Sequence, residues 1–327
     1  MRAPLLAALL ALAPAAADGA GFGGKNAGTS GAPFLTLGAD ARAAGMGSAV
    51  DAAADDATAV YWNPADLAGL HYRDATFTHA ASYQSTFSDF LAYAQPIEGP
   101  RGTGRERELR PDQLGTVGVA VLYQNSGTLP EVDNSGTPTG QSFTPQDVAA
   151  SVAWGAELLP GFDAGVAVKY VASKVENSAA TGAADLGARW RARLPSTAMD
   201  YALSASVRNL GGQLKFHTAS DPLPLTVTVG QALRPLPALT LTLDLVQPRD
   251  RSLYASLGAE WRAPMIQGVA GALRLGYDGR LKSSDAGGTT GLTLGAGLEL
   301  RRLAFDYAWS PAGDLGDVNR LSLSYRF

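Results

Sequence analysis

Cysteine is absent from all 327 residues, and that absence removes disulfide scaffolds, thiolate metal sites, cysteine nucleophiles and an acylated N-terminal cysteine together. Charge is scarce as well: 17% of the residues are Asp, Glu, Lys or Arg, against about 25% in an ordinary soluble domain. Twenty-six basic residues face 30 acidic ones for a net charge of −4. No basic field is therefore available to hold nucleic-acid phosphates, and nucleic acid is not expected as a partner.

Histidine occurs at only three positions, His71, His79 and His217. His71 and His79 read as eight residues apart on one face of the first strand, which at ~3.3 Å per residue is too far for a shared metal ion. No Ser-His-acid signature surrounds any serine. Asp133, Asn134, Ser135 and Gly136 lack the later glutamate of a calcium loop and read as a turn. Gly291, Gly295 and Gly297 lie in an alternating stretch instead of opening a helix, so they form no phosphate cradle. The expectation is a protein that is not an enzyme, with no cofactor and no metal. Beyond the first residues no window of 18 uncharged apolar residues occurs, which excludes spanning helices.

What is present begins with an export pattern. Met1-Arg2 gives a positive start, Ala3 to Ala13 is apolar apart from Pro4, and Ala15, Ala16 and Ala17 precede Asp18. This reads as a cleavable signal over residues 1–17. Residues 18–69 form a small-residue segment and residues 70–327 a strand-rich remainder.

In that remainder the apolar residues recur at every second position, the period of a strand. Leu239, Leu241, Leu243 and Leu245 alternate with Thr240, Thr242, Asp244 and Val246, and Leu303, Phe305, Tyr307 and Trp309 follow the same rule. The opposite face carries Lys169, Asp185, Arg189, Glu260, Arg262, Arg274, Glu299, Asp306 and Arg326 among Gly, Ser and Thr. Alternation alone fits both a soluble sandwich and a membrane barrel whose polar face lines a lumen.

Three features favour the barrel. About fourteen segments are counted, centred near Phe77, Leu91, Val119, Val152, Val168, Ala188, Ser204, Val227, Leu241, Leu257, Leu273, Leu294, Phe305 and Leu323, and outer-membrane barrels use even strand numbers. Tight connections near 159–161, 234–237 and 301–302 alternate with long polar links at 124–143, 209–222 and 278–289. One long link, 98–113 with Arg101, Arg105, Arg107 and Arg110, falls on the tight side and reads as a solvated loop. Finally, the chain stops on an alternating strand, Leu321, Leu323, Tyr325 and Phe327, which leaves no open edge only if it pairs with the first. The fold class is thus an all-β, transmembrane antiparallel β-barrel of about 14 strands with an N-terminal plug of short helices. In that barrel Asp244, Glu260, Arg262, Arg274, Asp306 and Arg326 are expected to pair across the wall and anchor the plug, in preference to lining a solute path.

The plug carries the sharpest motif: Gly38, Arg42, Gly45, Met46 and Gly47, followed by Asp55, Asp56, Trp62, Asn63 and Pro64. Asn before Pro favours a turn. These residues resemble the N-terminal signature of the PorV/PorQ family of outer-membrane proteins, which are themselves similar to FadL-type channels. Asn209-Leu210-Gly211, Leu223-Pro224-Leu225, Arg274-Leu275-Gly276-Tyr277 and the tail from Asp306 to Leu323 stand in the family's order. Asp66 departs from the glycine of the family's Asn-Pro-Ala-Gly-Leu.

The resemblance implies a 14-stranded barrel with a plug, in the outer membrane of a diderm bacterium. It also implies partners: the lipid bilayer, the barrel-assembly machinery that reads the terminal aromatic strand, and the sorting domains of secreted cargo together with type IX translocon subunits. The function it implies is a shuttle that passes cargo to surface attachment. The alternative is a FadL-like channel for hydrophobic small molecules, with a movable plug and a lateral gap in the wall.

Overall fold

The computed structural model describes residues 22–23, 26–98, 113–133, 135–195, 197–216, 220–281, 291–311 and 316–327. The signal segment and the arginine-bearing stretch 101–110 lie outside them.

The strands run in chain order as β1 (Asp74–Ala81), β2 (Phe87–Glu98), β3 (Gln113–Asn125), β4 (Leu129–Val132), β5 (Pro138–Phe143), β6 (Gln146–Leu159), β7 (Phe162–Lys174), β8 (Ser178–Arg193) and β9 (Asp200–Leu210). They continue as β10 (Gln213–Lys215), β11 (Ser220–Pro222), β12 (Thr226–Leu236), β13 (Leu239–Pro248), β14 (Tyr254–Ile266), β15 (Val269–Asp278), β16 (Leu292–Leu300), β17 (Leu303–Pro311) and β18 (Asp317–Arg326). All but β4–β5 and β10–β11, which form two separate hairpins, join into one closed antiparallel barrel of fourteen strands. Each of the fourteen strand centres expected from the alternation lies in a different wall strand.

Closure is made by β1 against β18, with Asp74 opposite Arg326 and Ala81 opposite Asn319. Phe327 then donates its N–H to the carbonyl of Arg73 (2.9 Å). A membrane wall has no water to satisfy backbone groups, so this unbroken ladder is what allows strands to sit in lipid. The outward face confirms the assignment of sides. Leu241, Leu294, Phe305 and Leu323 are 39–50% exposed, pointing away from the lumen instead of into a common core. Trp154, Phe162, Trp190, Trp261, Tyr325 and Phe327 also face outward, all towards the end of the barrel that carries the chain terminus. This is the aromatic girdle of a membrane barrel.

The connections sort by end. Two-residue turns at 160–161, 237–238, 267–268 and 301–302 lie at the end with Phe327, here the turn end. The long links 126–145 and 211–225 lie at the other, the loop end, and fold into the β4–β5 and β10–β11 hairpins, which the sequence pattern did not distinguish from loop. One placement differs from expectation. His71 is not on the first strand, because β1 begins only at Asp74. His79 is on it but faces outward, where its Nδ1 lies 2.7 Å from Asp89 Oδ1.

Candidate functional site: the plugged lumen

The N-terminal segment threads the lumen from one end to the other. At the loop end Gly23 N–H donates to the Arg249 carbonyl (3.1 Å) and Gly31 N–H to the Pro222 carbonyl (2.9 Å). A 3₁₀ turn Pro33–Thr36, a short helix Ala41–Gly45, a second helix Ala59–Trp62 and a 3₁₀ turn Pro64–Gly69 follow before β1 starts at the turn end. Nearly every residue from Ala39 to Ala68 is buried.

Local chemistry shapes this segment. Asp40 caps the Ala41–Gly45 helix by accepting from Ala43 N–H (2.8 Å), and its other oxygen accepts from the Trp62 indole (2.8 Å), tying the two helices together. Burial, followed by the repulsion of Asp56, raises the Asp40 carboxyl to about 6. Asn63 caps the Pro64–Gly69 turn through Ala65 N–H (3.0 Å) and donates to the Asp51 carbonyl (2.9 Å). Tyr61 donates its hydroxyl to the Leu35 carbonyl (2.9 Å) and accepts from Gly38 N–H (3.0 Å). Gly38 itself is left-handed and lies against the Trp62 ring.

The wall makes room by omitting side chains. Gly155 and Gly165 lie against Pro64, Gly187 against Asn63, Gly118 against Val60, Gly230 against Asp51, Gly258 and Gly276 against Met46 and Gly47, and Gly295 against Gly45. These glycines come from eight different strands. Gly47 is held twice over: its φ is +65°, and a Cβ would lie 2.5 Å from the Tyr277 carbonyl and 2.6 Å from that of Leu257.

Charge then locks the fit. Arg42 on the plug reaches Asp55 and, across the lumen, both oxygens of Glu260 on β14 (3.0 and 3.1 Å). Glu260 also accepts from Arg274 (2.7 Å), which continues to Asp306 (2.6 Å), while Arg262 stands 3.6 Å from Glu260. Burial works to raise the Asp55 carboxyl, but the Arg42 and Arg262 guanidinium groups prevail and hold it below the usual carboxylate range. Asp244 on β13 accepts from Asp51 N–H (3.0 Å). Arg326 pairs with Glu299 (3.0 Å) and lies over the Tyr72 ring. Of the six lumen charges named from the sequence, Glu260 and Asp244 thus touch the plug directly. Arg262 acts on the plug's Asp55 as well as on Glu260, Arg274 and Asp306 act through Glu260, and Arg326 is paired with Glu299 on the wall. Asp56 folds back on Thr58, accepting from its N–H (2.9 Å).

Sequence reasoning missed several contributors, Asp66, Asp51, Arg280 and Arg320 among them. Asp66, seen only as a departure from the family pattern, is fully buried and meets Arg189 (3.0 Å), which also binds Asp163 (2.9 Å). Asp51 accepts from Ser204 (2.7 Å) and Ser206 (2.5 Å) of β9. Arg280 and Arg320 donate to the carbonyls of Thr36 and Leu37, capping the end of the first 3₁₀ turn. An acid or base inside an otherwise small-residue or alternating stretch is the available signal, but its partner lies more than a hundred residues away.

Two crevices flank the plug. The one at the loop end is lined by plug residues Leu35, Asp51, Tyr61 and Trp62 and by wall residues including Arg208, Asp244, Val246 and Tyr254. The one at the turn end is lined by Ala52, Ala53 and Ala54 with Arg189, Tyr201, Ala232 and Arg234. The plug turn 51–54 separates them. Among the described residues every adjacent pair of wall strands is hydrogen-bonded, with register shifts in five of the pairs.

No family model and no curated protein matches the sequence. Solved structures match the fold. The Ralstonia pickettii toluene transporter TbuX aligns with a TM-score of 0.59 at 12% identity, covering 90% of this chain and 100% of that one. The Pseudomonas putida toluene transporter TodX gives 0.57 at 9% identity, covering 88% and 98%. The monoaromatic hydrocarbon channel CymD gives 0.53 at 11% identity, covering 89% and 98%. The chain shares the barrel fold of these three proteins, two of them toluene transporters and one a monoaromatic hydrocarbon channel.

Proposed function

We propose that this chain is an outer-membrane channel for small, largely hydrophobic molecules, with its loop end outside the cell and the N-terminal segment as the internal closure. The observation that carries the reading is the shared architecture. The alignments with two toluene transporters run over 98% and 100% of their length, and the lumen here holds a folded segment with crevices on both of its sides. A wall whose inner glycines follow the plug's contour is built for one docked position, which is what a closed state needs. The barrel-assembly machinery would read Tyr325 and Phe327 on the closing strand, and the aromatic girdle would rest at the lipid interface.

The experiment is flux. Purified protein in liposomes with a lipopolysaccharide outer leaflet, which retards toluene where plain phospholipid does not, should pass toluene faster than the same liposomes without protein, and faster still when the Arg42 anchor is removed. Toluene entry equal to that of empty vesicles in both cases would refute the reading.

A second reading, the type IX shuttle of the PorV resemblance, draws support from the same plug. A lumen sealed by polar and ionic contacts from Asp40 to Asp66 suits a barrel that works through its outer hairpins, β4–β5 and β10–β11. Capture of sorting domains of surface-attached cargo by the intact protein is the test for it; recovery of none would set it aside.

A further inference from the structure

One guanidinium in the lumen, that of Arg208, lies over two aromatic rings and has no ion pair or hydrogen bond among the described residues. Asp185 on β8 faces two residues of β9, Arg208 and Asn209, because the pairing jumps from Ala184–Leu210 to Leu186–Val207. Asn209 takes the left-handed conformation (φ 60°), a costly state for a non-glycine residue that persists only where its surroundings enforce it. Here they do. Asp185 accepts from Asn209 N–H (2.7 Å), Lys169 donates to its side-chain oxygen (2.9 Å), and its amide donates to the Pro224 carbonyl (3.1 Å). Arg208 continues the inward row of Ser204 and Ser206, and the bulge turns Asn209 inward beside it, the use bulges serve beside functional sites.

Arg208 projects into the loop-end crevice over the plug aromatics, its guanidinium carbon 5.6 Å from the Tyr61 ring centre and 5.5 Å from that of Trp62. Its Nε is buried with no hydrogen-bond partner, and no ion pair reaches it among the described residues. The other two arginines of the crevice differ: Arg280 is committed to Asp278 (3.1 Å) and the Thr36 carbonyl, and Arg251 donates to the Arg280 carbonyl (3.4 Å). Asp51 and Asp244 line the same crevice; Asp51 accepts from Ser204 and Ser206, and Asp244 accepts from Asp51 N–H through Oδ2 while its Oδ1 is buried without a hydrogen bond. The free planar donor is Arg208, and a planar fork of N–H groups matches a carboxylate bidentately.

We infer that the loop-end crevice is a binding site for a compact aromatic carboxylate, its anionic head on Arg208 and its ring among Leu35, Trp62, Val246 and Tyr254. This deepens the channel reading by naming a ligand class at the outer face of the plug. Size sets the limit. The crevice holds about 70 Å³ of water-accessible space, or about five to seven waters at ~10–15 Å³ each. At ~30 Å³ of liquid per water their displacement frees roughly 150–200 Å³, room for a single ring with a carboxylate and not for a long acyl chain.

The test is calorimetric titration of the full-length protein in detergent with benzoate, benzyl alcohol and inorganic phosphate. Benzoate should bind one to one, at least tenfold more tightly than benzyl alcohol. Arg208→Met should abolish that preference and Arg208→Lys restore part of it, with heat-modifiable migration on gels showing that each barrel is folded. Equal binding of benzoate and benzyl alcohol, full competition by phosphate, or an unaltered preference in a folded Arg208→Met barrel would overturn the inference. The liposome flux of toluene is a separate readout: toluene flux without benzoate binding sinks only this site, and benzoate binding without toluene flux sinks only the channel.

Discussion

Replacing Arg42 by Met removes the plug's main ionic hold on the wall. The side chain is 7% exposed and makes two contacts to Glu260, at 3.0 and 3.1 Å, and one to Asp55. Removing one partner of a buried pair costs about 3–5 kcal/mol because the other charge is stranded. Here the stranding is partial, since Glu260 keeps Arg274 at 2.7 Å and Asp55, 37% exposed, keeps water and Arg234 at 3.8 Å. The expected loss of docking is therefore lower, about 2–3 kcal/mol, or about 30- to 150-fold in the open-to-docked ratio. The absence of cysteine supplies the assay: Ala53→Cys places the only thiol on the plug turn, where Ala53 is 8% exposed. When opening and closing are fast relative to reaction, thiol labelling follows the open fraction. Labelling should rise about 30- to 150-fold in Arg42→Met, by less in Arg42→Lys, and by under about twofold in Glu299→Gln, which breaks only a half-exposed wall pair. A rise of less than about threefold in Arg42→Met, or an equal rise in Glu299→Gln, would refute the claim that Arg42 holds the plug.

Gly187→Val puts a branched side chain where Asn63 and Ala65 now sit; the barrel should still migrate as a folded, heat-modifiable species while the thiol introduced by Ala53→Cys reacts as freely as in an unplugged barrel, and a protected thiol would disprove the seat. Asp40 carries a raised folded pKa of about 6, so its contribution to docking is complete below about pH 4 and lost as pH rises through about 6, roughly 3 kcal/mol for a shift of about two pH units. Labelling taken relative to the Gly187→Val barrel at the same pH, so that the thiol's own gain in reactivity cancels, should accordingly increase from pH 4 to pH 7 and increase less in Asp40→Asn; a relative decrease over that range has the wrong sign. Tyr325→Ser with Phe327→Ser strips the outward aromatics at the end of the closing strand, and the yield of folded barrel inserted into the outer membrane should fall severalfold, with normal yield counting against the assembly role.

How much of this was legible in the sequence depends on distance along the chain. The wall was legible because alternation is a local property: Leu303, Phe305 and Tyr307 announce an outward face, and Thr240, Thr242 and Asp244 an inward one, whatever they pair with. The hairpins β4–β5 and β10–β11 were not, because their short strands alternate little: β5 is exposed at five of its six positions. His71 was drawn onto the first strand by the neighbouring pattern, while the barrel needs the residues before Asp74 to leave the lumen. The plug motif contains Arg42, Gly45, Met46, Gly47, Asn63 and Pro64, which meet the wall, but not Ala41, Asp51, Val60 or Asp66, which also do, and no local rule links Arg42 to Glu260 or Asp51 to Ser204 and Ser206.

The wall glycines show why that link was hidden. Each of Gly155, Gly165, Gly187, Gly230, Gly258, Gly276 and Gly295 sits in a strand whose own pattern would accept Ala, Ser or Thr at the inward position. Read alone, each is only a weak place in a strand. Their meaning appears when fourteen strands close and a second piece of chain occupies the space they leave, because a Cβ at Gly295 would lie 3.0 Å from the Gly45 Cα and one at Gly258 2.7 Å from the Met46 carbonyl. The closure is uneven as a result. At Asn63, Pro64 and Met46 to Gly47 the plug meets bare backbone and is held by shape. At Ala52 and Ala53 it meets only the methyl groups of Ala202 and Ala232, so little apolar area is lost if the turn moves. The two crevices approach each other at that turn, and its hold on the wall rests on Asp51 with Ser204, Ser206 and Asp244. At residues 51–54 the plug is therefore held least by packing and most by a few buried polar contacts.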